Sequence, residues 1–127
     1  MSFTTLLENE LLDHVFRNAA YTPPATVYIG LYTSATTGAG GGTEVTGGSY
    51  TRMAMAFDAA ASSAIDNTAA VEFPTSTANW GTVTHTAVLD AATGGNMLAE
   101  TALTASKVIS TGDVFRFQAG EFDIALS

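Results

Sequence analysis

The sequence contains no cysteine and few charged residues, and each shortage excludes a class of protein. Without cysteine the chain has no disulfide bond, no thiolate metal ligand and no cysteine nucleophile. Four basic residues stand against twelve acidic ones, which gives a net charge of −8. This sign is wrong for binding a phosphate backbone or an anionic membrane, so neither nucleic acid nor membrane is an expected partner. A basic protein surface is the partner that this charge favours.

Long apolar runs are also missing. No stretch approaches the roughly 20 residues that a membrane-spanning helix needs. The first residues, Met1 to Phe3, carry no basic segment, and Glu8 and Glu10 interrupt the apolar stretch that follows. We therefore expect neither a signal peptide nor a membrane anchor, and a protein that is made in a cytoplasm.

The composition that remains is typical of a β-rich domain with a Thr-rich surface. Hydrophobic residues make up 46% of the 127 residues and charged residues only 13%, so Thr, Ser, Gly and Asn must supply the polar face. Threonine suits strands because its branched side chain packs on a pleated surface. A surface poor in Lys loses little side-chain entropy on burial, which favours permanent contacts. The length predicts one domain, residues 1–127.

One amphipathic helix is predicted over residues 4–19. Thr5 and Glu8 have the spacing of a capping box, and Pro23 and Pro24 stop the helix from continuing. An apolar stripe recurs along it, widened by Leu12. Such a stripe must pack on the chain's own sheet or on a neighbouring subunit. The candidates for an assembly interface are Leu7, Leu11, Val15 and Phe16.

Beyond Pro24 the apolar period changes from about 3.6 to 2, which predicts strands over residues 26–126. Short turns such as Gly94-Gly95-Asn96 separate them. The fold class predicted is mainly β, an antiparallel β-sandwich or a jelly-roll-like fold or small barrel, with one N-terminal α-helix. The eight predicted strands span residues 27–32, 50–57, 71–73, 82–89, 97–103, 107–109, 114–118 and 122–126.

The longest connection, residues 34–49, is rich in glycine. A nucleotide-binding loop would need a third glycine where Thr43 stands and a helix after it, and neither is found. A structureless loop of this length is unusual in a compact domain, so we expect this segment to have a function or a partner.

The sequence has no catalytic or metal-binding pattern with the required spacing. His14 falls on the polar side of the helix and His85 lies in mid-strand, with no nucleophile elbow anywhere in the chain. We predict no enzyme activity, no cofactor and no metal. A calcium ion held by Asp66 or Asp113 with backbone carbonyls remains an alternative.

Four aromatic residues are candidates for a ligand platform: Trp80, Tyr28, Tyr32 and Tyr50. Aromatic rings pack against the C–H faces of sugars, so such a platform would suit a glycan or another partner. A lone tryptophan in a small β domain is more often part of the core. Both interpretations of Trp80 remain open.

Several stretches, in order along nearly the whole chain, resemble one phage protein family. They are HVFRNAAYTPPATVYIGLY (14–32), GTEVTGGSYTR (42–52), VEFP (71–74), WGTVTH (80–85), DAATGGN (90–96) and GDVFRF (112–117). The family is the one usually labelled phage tail fibre protein. The resemblance implies a virion structural protein of a tailed bacteriophage, and it supplies no catalytic residues.

The function expected from these observations is an accessory role on the virion. A fibre needs a shaft, and the sequence has no shaft repeat, so a capsid decoration or cement protein is favoured. The main alternative is a tail fibre or tail-tip module that binds a host receptor or glycan. A host-encoded carbohydrate-binding module or enzyme fragment is a further alternative. The expected partners are the major capsid protein or tail proteins, with homo-oligomerisation, as a trimer, as a hypothesis.

Overall fold

The computed structural model describes residues 1–126, and within them the chain forms nine strands and one helix. This confirms the predicted fold class: mainly β, antiparallel, with an N-terminal helix. The elements are β1 (Ser2–Phe3), α1 (Thr5–Phe16), β2 (Val27–Tyr32), β3 (Met53–Met55), β4 (Ala64–Asp66), β5 (Val71–Glu72), β6 (Gly81–Leu89), β7 (Met97–Ile109), β8 (Arg116–Phe117) and β9 (Asp123–Ala125).

The main sheet has five antiparallel strands in the order β1-β7-β6-β2-β3. Its centre is the long hairpin of β6 and β7, whose turn lies at residues 90–96. The sequence predicts two strands where β7 is continuous. The register changes from Val83 opposite Lys107 to His85 opposite Ala102, so extra residues of β7 bulge out of the ladder there. That bulge breaks the alternation that the prediction relied on.

Two short ribbons form the second layer. In β4–β9 Ile65 lies opposite Ile124, and in β5–β8 Val71 lies opposite Phe117. Their apolar side chains share one core with the face of the sheet that carries Ile29. The result is a sandwich-like arrangement around a single apolar core. Its buried members include Ile29, Leu31, Val83, Val88, Phe73, Trp80, Phe115, Phe117 and Phe122.

Aromatic rings fill much of the space between the layers. Phe73 lies edge to face with Phe115, at 5.8 Å between centroids, and Phe117 lies edge to face with Phe122 at 5.1 Å. Such pairs contribute roughly 0.5–1.5 kcal/mol beyond the burial of their area. Because the rings come from strands and loops distant in sequence, they fix the ribbons against the sheet.

The helix is shorter than predicted. It ends at Phe16 rather than near Ala19, because the Arg17 N–H closes the last turn on the Asp13 carbonyl and Asn18 then adopts a left-handed φ of 54°. The capping box is also wrong. The residue that caps the helix is Thr4, and its hydroxyl donates to the Met97 carbonyl at 2.7 Å instead of to its own helix. Two strands, β1 and β4, were not predicted at all.

The glycine-rich segment, residues 34–49, folds back beside the C-terminal end of β2, beyond the part of β2 that pairs with β3. The Val45 N–H donates to the Leu31 carbonyl at 2.9 Å, and the Thr33 N–H donates to the Thr43 carbonyl at 2.8 Å. Gly40, Gly41 and Gly42 all have φ between 81° and 91°, a range that a residue with a side chain rarely adopts. The glycines therefore allow a sharp return that extends the sheet.

Candidate functional site

Helix α1 lies outside the two layers and is fixed at its N-terminal end. The Thr4 hydroxyl donates to the Met97 carbonyl, and the Thr5 N–H donates to the Gly38 carbonyl at 2.9 Å. No side chain of α1 is buried. The helix is therefore attached to the domain by its base, while its other end is largely surrounded by solvent.

The predicted apolar stripe divides into two parts. Leu7 is half-buried and packs against the core, and Leu11 is half-buried as well. Leu12, Val15 and Phe16 are 56%, 65% and 79% exposed. Residues three and four apart share a helix face, so these three form one contiguous apolar surface. We call it the helix tip: Leu12, Val15 and Phe16.

Of the four interface candidates, the structure thus places Val15 and Phe16 on the open surface. It places Leu7 and Leu11 on the side that faces the domain. Leu12 belongs to the open surface and was not among the candidates. Its position in the sequence, three residues before Val15 and four before Phe16, is the signal that identifies it.

The electrostatics of the surface are dominated by carboxylates. Within residues 1–126, three of the four basic side chains form ion pairs, Arg17 with Asp13, Arg52 with Glu44 and Arg116 with Glu72. The fourth, Lys107, lies 5.7 Å from the ring centroid of Phe115. Most basic charge is therefore matched within the chain, and the remaining acidic residues give the protein its negative field.

The four aromatic candidates do not come together as one exposed platform. Trp80 is 4% exposed, and its indole N–H donates to the Gly48 carbonyl at 2.9 Å. Tyr50 meets it edge to face, with 5.4 Å between centroids. Tyr32 is buried in a separate small cluster with Ala87 and Leu89, and Tyr28 is half-buried. Trp80 is thus a core residue.

Tyr50 belongs to a polar network that the sequence did not reveal. Its hydroxyl accepts from the Leu31 N–H at 3.0 Å and donates to Glu44 Oε2 at 2.7 Å. Arg52 holds the same carboxylate through Nε and Nη2, each at 2.8 Å. Its remaining nitrogen, Nη1, donates to the carbonyls of Ala91 and Gly94, both at 2.8 Å. One guanidinium therefore ties the glycine-rich segment to the β6–β7 turn.

The network shifts the pKa values of its members. Burial alone would raise the pKa of Glu44, but the hydrogen bonds from Arg52 and Tyr50 and the positive charge of Arg52 together lower it. Burial, together with the hydrogen bond to Glu44, raises the pKa of Tyr50. The hydrogen bond to Glu44 raises the pKa of Arg52. These shifts favour an ionised Glu44 beside a neutral Tyr50. The network therefore has a structural role.

Arg52 is one of only four basic residues in the chain. The missed signal is that Glu44 and Arg52 are opposite charges flanking the Gly47-Gly48 turn in a chain with very few charges. Both also lie in the GTEVTGGSYTR stretch. A turn that brings such residues together allows an Arg–carboxylate pair with two parallel hydrogen bonds.

The other residues considered for chemistry serve local structure. His14 Nδ1 lies 3.0 Å from the Ala19 carbonyl, and His85 Nδ1 lies 2.8 Å from the Thr84 hydroxyl. The Asp113 carboxylate accepts from the Ser110 N–H at 2.8 Å and closes a turn. In the part of the chain that the structure describes, no three His, Asp or Glu side chains are grouped to hold a metal ion. None of its helices is long and apolar enough to cross a membrane.

A comparison with protein families matches nearly all of this fold. The model described as Podophage GP4 fiber I protein gp80 matches residues 2–125, a span that runs from β1 through β9. No curated protein matches the chain. The resemblance to a phage tail fibre family is confirmed. Such a family has a structural role in the virion, in association with other virion components. This chain belongs to the Podophage GP4 fiber I protein gp80 family.

Proposed function

We propose that this chain is a non-enzymatic structural subunit of a phage fibre, held to other virion proteins by non-covalent contacts. The observation that carries the proposal is the family match, which covers α1 and every strand rather than one motif. Since the family is described as a fibre protein, the fibre is the part of the virion to which we assign the chain.

The geometry is that of a binding protein. The strongest polar network, around Arg52, links two segments of the chain to each other and leaves the Arg52 side chain only 10% exposed. The helix tip, by contrast, turns three large apolar side chains to solvent on one face. Single exposed apolar residues are ordinary, but a contiguous group marks a surface that another molecule covers.

The capsid decoration role that the sequence favours stays a prediction. The fibre description of the family supports a different position on the same particle. Binding of a host receptor or glycan also stays a prediction. That alternative relied on an aromatic platform of four residues, and two of them, Trp80 and Tyr32, are buried.

Homo-oligomerisation, with a trimer as the specific hypothesis, is a further proposal. Its motivation is the low charge and the Thr-rich strand faces, which lose little side-chain entropy on burial. Light scattering on the purified chain tests it. A mass of three chains supports the trimer, and a monomer at high concentration removes it.

The position on the particle can be measured by electron microscopy. Purified particles would be incubated with gold-labelled antibody fragments raised against this chain. Label on the fibres supports the proposal. Label spread as a dense lattice over the capsid would instead support the decoration role. Particles that contain neither label nor the chain would exclude a virion role.

A further inference from the structure

We propose that the helix tip docks into an apolar groove with a basic rim on a neighbouring virion protein. The inference rests on the proposed function, because it names the surface by which this chain joins the particle. The molecule that covers the helix tip would be this groove, and not a second copy of the chain or a lipid surface.

Helix α1 is held firmly at its N-terminal end. Two hydrogen bonds from consecutive residues, Thr4 to Met97 and Thr5 to Gly38, fix the base of the helix to β7 and to the glycine-rich segment. Leu7 packs on the core next to this base. A helix fixed in this way presents its other end in a defined direction. The helix tip is therefore a preorganised surface, which lowers the entropy lost on docking.

The shape of the helix tip suits a groove better than a flat surface. Leu12, Val15 and Phe16 form a narrow ridge, with Phe16 the most exposed of the three. A stable flat interface buries roughly 800 Å² on each partner, which is far more than three side chains provide. A ridge with residues at positions i, i+3 and i+4 suits a groove, where each side chain is enclosed on several sides. An aromatic side chain at such a position commonly anchors the contact.

The free charge on the face of the ridge is acidic. Glu8 lies one turn before Leu12 on this face of α1, whereas the charge of Asp13 is matched by Arg17 at 3.3 Å. The whole chain carries a net charge of −8. A symmetric contact between two copies of the ridge would bring acidic helices together, and an anionic membrane would repel them as well. A groove with Lys or Arg at its rim complements this surface.

The test uses particles purified from a phage in which the gene for this chain is interrupted. Purified wild-type chain would be added, and the bound fraction would be measured after sedimentation. Phe16→Ser should weaken binding by at least about tenfold, because it removes the anchor of the ridge. Glu8→Gln should weaken binding and reduce its dependence on salt.

Val15 and Val108 provide a matched pair of controls. They are 65% and 67% exposed, but Val108 lies on β7. Val15→Ser should weaken binding, whereas Val108→Ser should leave it unchanged. Circular dichroism on each variant checks that α1 is still folded.

Three results would overturn the inference. If Phe16→Ser bound the particles as well as the wild-type chain, and Val15→Ser bound as well as Val108→Ser, the ridge would be excluded as the contact. The proposed function would remain intact. A wild-type oligomer that Phe16→Ser converts to monomers would show that the ridge contacts a second copy. Failure of the wild-type chain itself to bind the depleted particles would overturn both the inference and the proposed function.

Discussion

Arg52 and Glu44 form an ion pair with two parallel hydrogen bonds, each 2.8 Å long, although they are eight positions apart in sequence, on either side of a glycine turn. The side chains are only 10% and 22% exposed. The third guanidinium nitrogen binds two carbonyls of the β6–β7 turn. Because one side chain satisfies groups from two segments, the stability of this end of the molecule depends on it.

Replacing Arg52 by Met should destabilise the fold by about 3 kcal/mol. The substitution leaves the Glu44 carboxylate largely buried without its counter-charge, which is the costly way to break a buried pair. It also frees the carbonyls of Ala91 and Gly94. Urea unfolding measures the change. Arg17→Met is the matched control, because its pair with Asp13 is 75% and 48% exposed. A loss below about 1 kcal/mol is expected there, and equal losses would contradict the account.

The stability should fall on acidification partly through Glu44. Its pKa is lower in the folded state than in the unfolded chain, because Arg52 and Tyr50 outweigh the effect of burial. Its contribution is therefore complete above the unfolded value, about 4.3, and is lost as the pH falls through the folded pKa. The measurement is the free energy of unfolding from pH 6 to pH 3. Glu44→Gln should be less stable at pH 6 and should show a shallower decline, whereas parallel curves would reject this assignment.

Tyr50→Phe should cost about 1–3 kcal/mol. The hydroxyl is the acceptor for the N–H of fully buried Leu31, and its removal leaves that donor without its partner. Tyr28→Phe is the comparison, since Tyr28 is a half-buried tyrosine on the adjacent strand β2. We expect less than about 0.5 kcal/mol for it. Similar effects of the two substitutions in urea unfolding would contradict the importance of the Tyr50 hydroxyl.

Gly48→Ala should destabilise the chain more than Gly47→Ala. Both glycines have positive φ, 57° and 72°, so backbone strain of about 1 kcal/mol is common to the two substitutions. A methyl group at Gly48 would lie 2.8 Å from the Trp80 indole nitrogen, whereas at Gly47 it would meet nothing within 4 Å. We expect an additional cost of about 1–3 kcal/mol at Gly48. Tryptophan fluorescence should change for Gly48→Ala alone, and identical spectra and stabilities would be evidence against this packing.

The fold class could be predicted from the sequence because the alternation in β2 is uninterrupted and short turns separate the predicted strands. The short strands could not be predicted. Ser2–Phe3 has only two residues, and β4 follows a turn made by Ser62 and Ser63, which adopt positive φ without glycine. Their formation depends on tertiary partners, such as the pairing of Phe3 with Ala99. Local patterns contain no information about such partners.

The candidate site was predicted only in part. The periodicity of α1 identified an apolar stripe. It did not show that the domain would contact only the part of the stripe that contains Leu7 and Leu11. That division depends on where Thr4 is bound, and the capping pattern pointed to Thr5 instead of Thr4 as the N-cap residue. The family resemblance, by contrast, relied on an ordered series of stretches along the chain, and the match over residues 2–125 confirms it.

The most direct test of a structural role in the virion is quantitative mass spectrometry of particles purified by density-gradient centrifugation. We expect peptides of this chain in the particles at a constant ratio to other virion proteins, retained after washing at moderate salt. Abundant chain in the infected-cell lysate with none in the purified particles would contradict it.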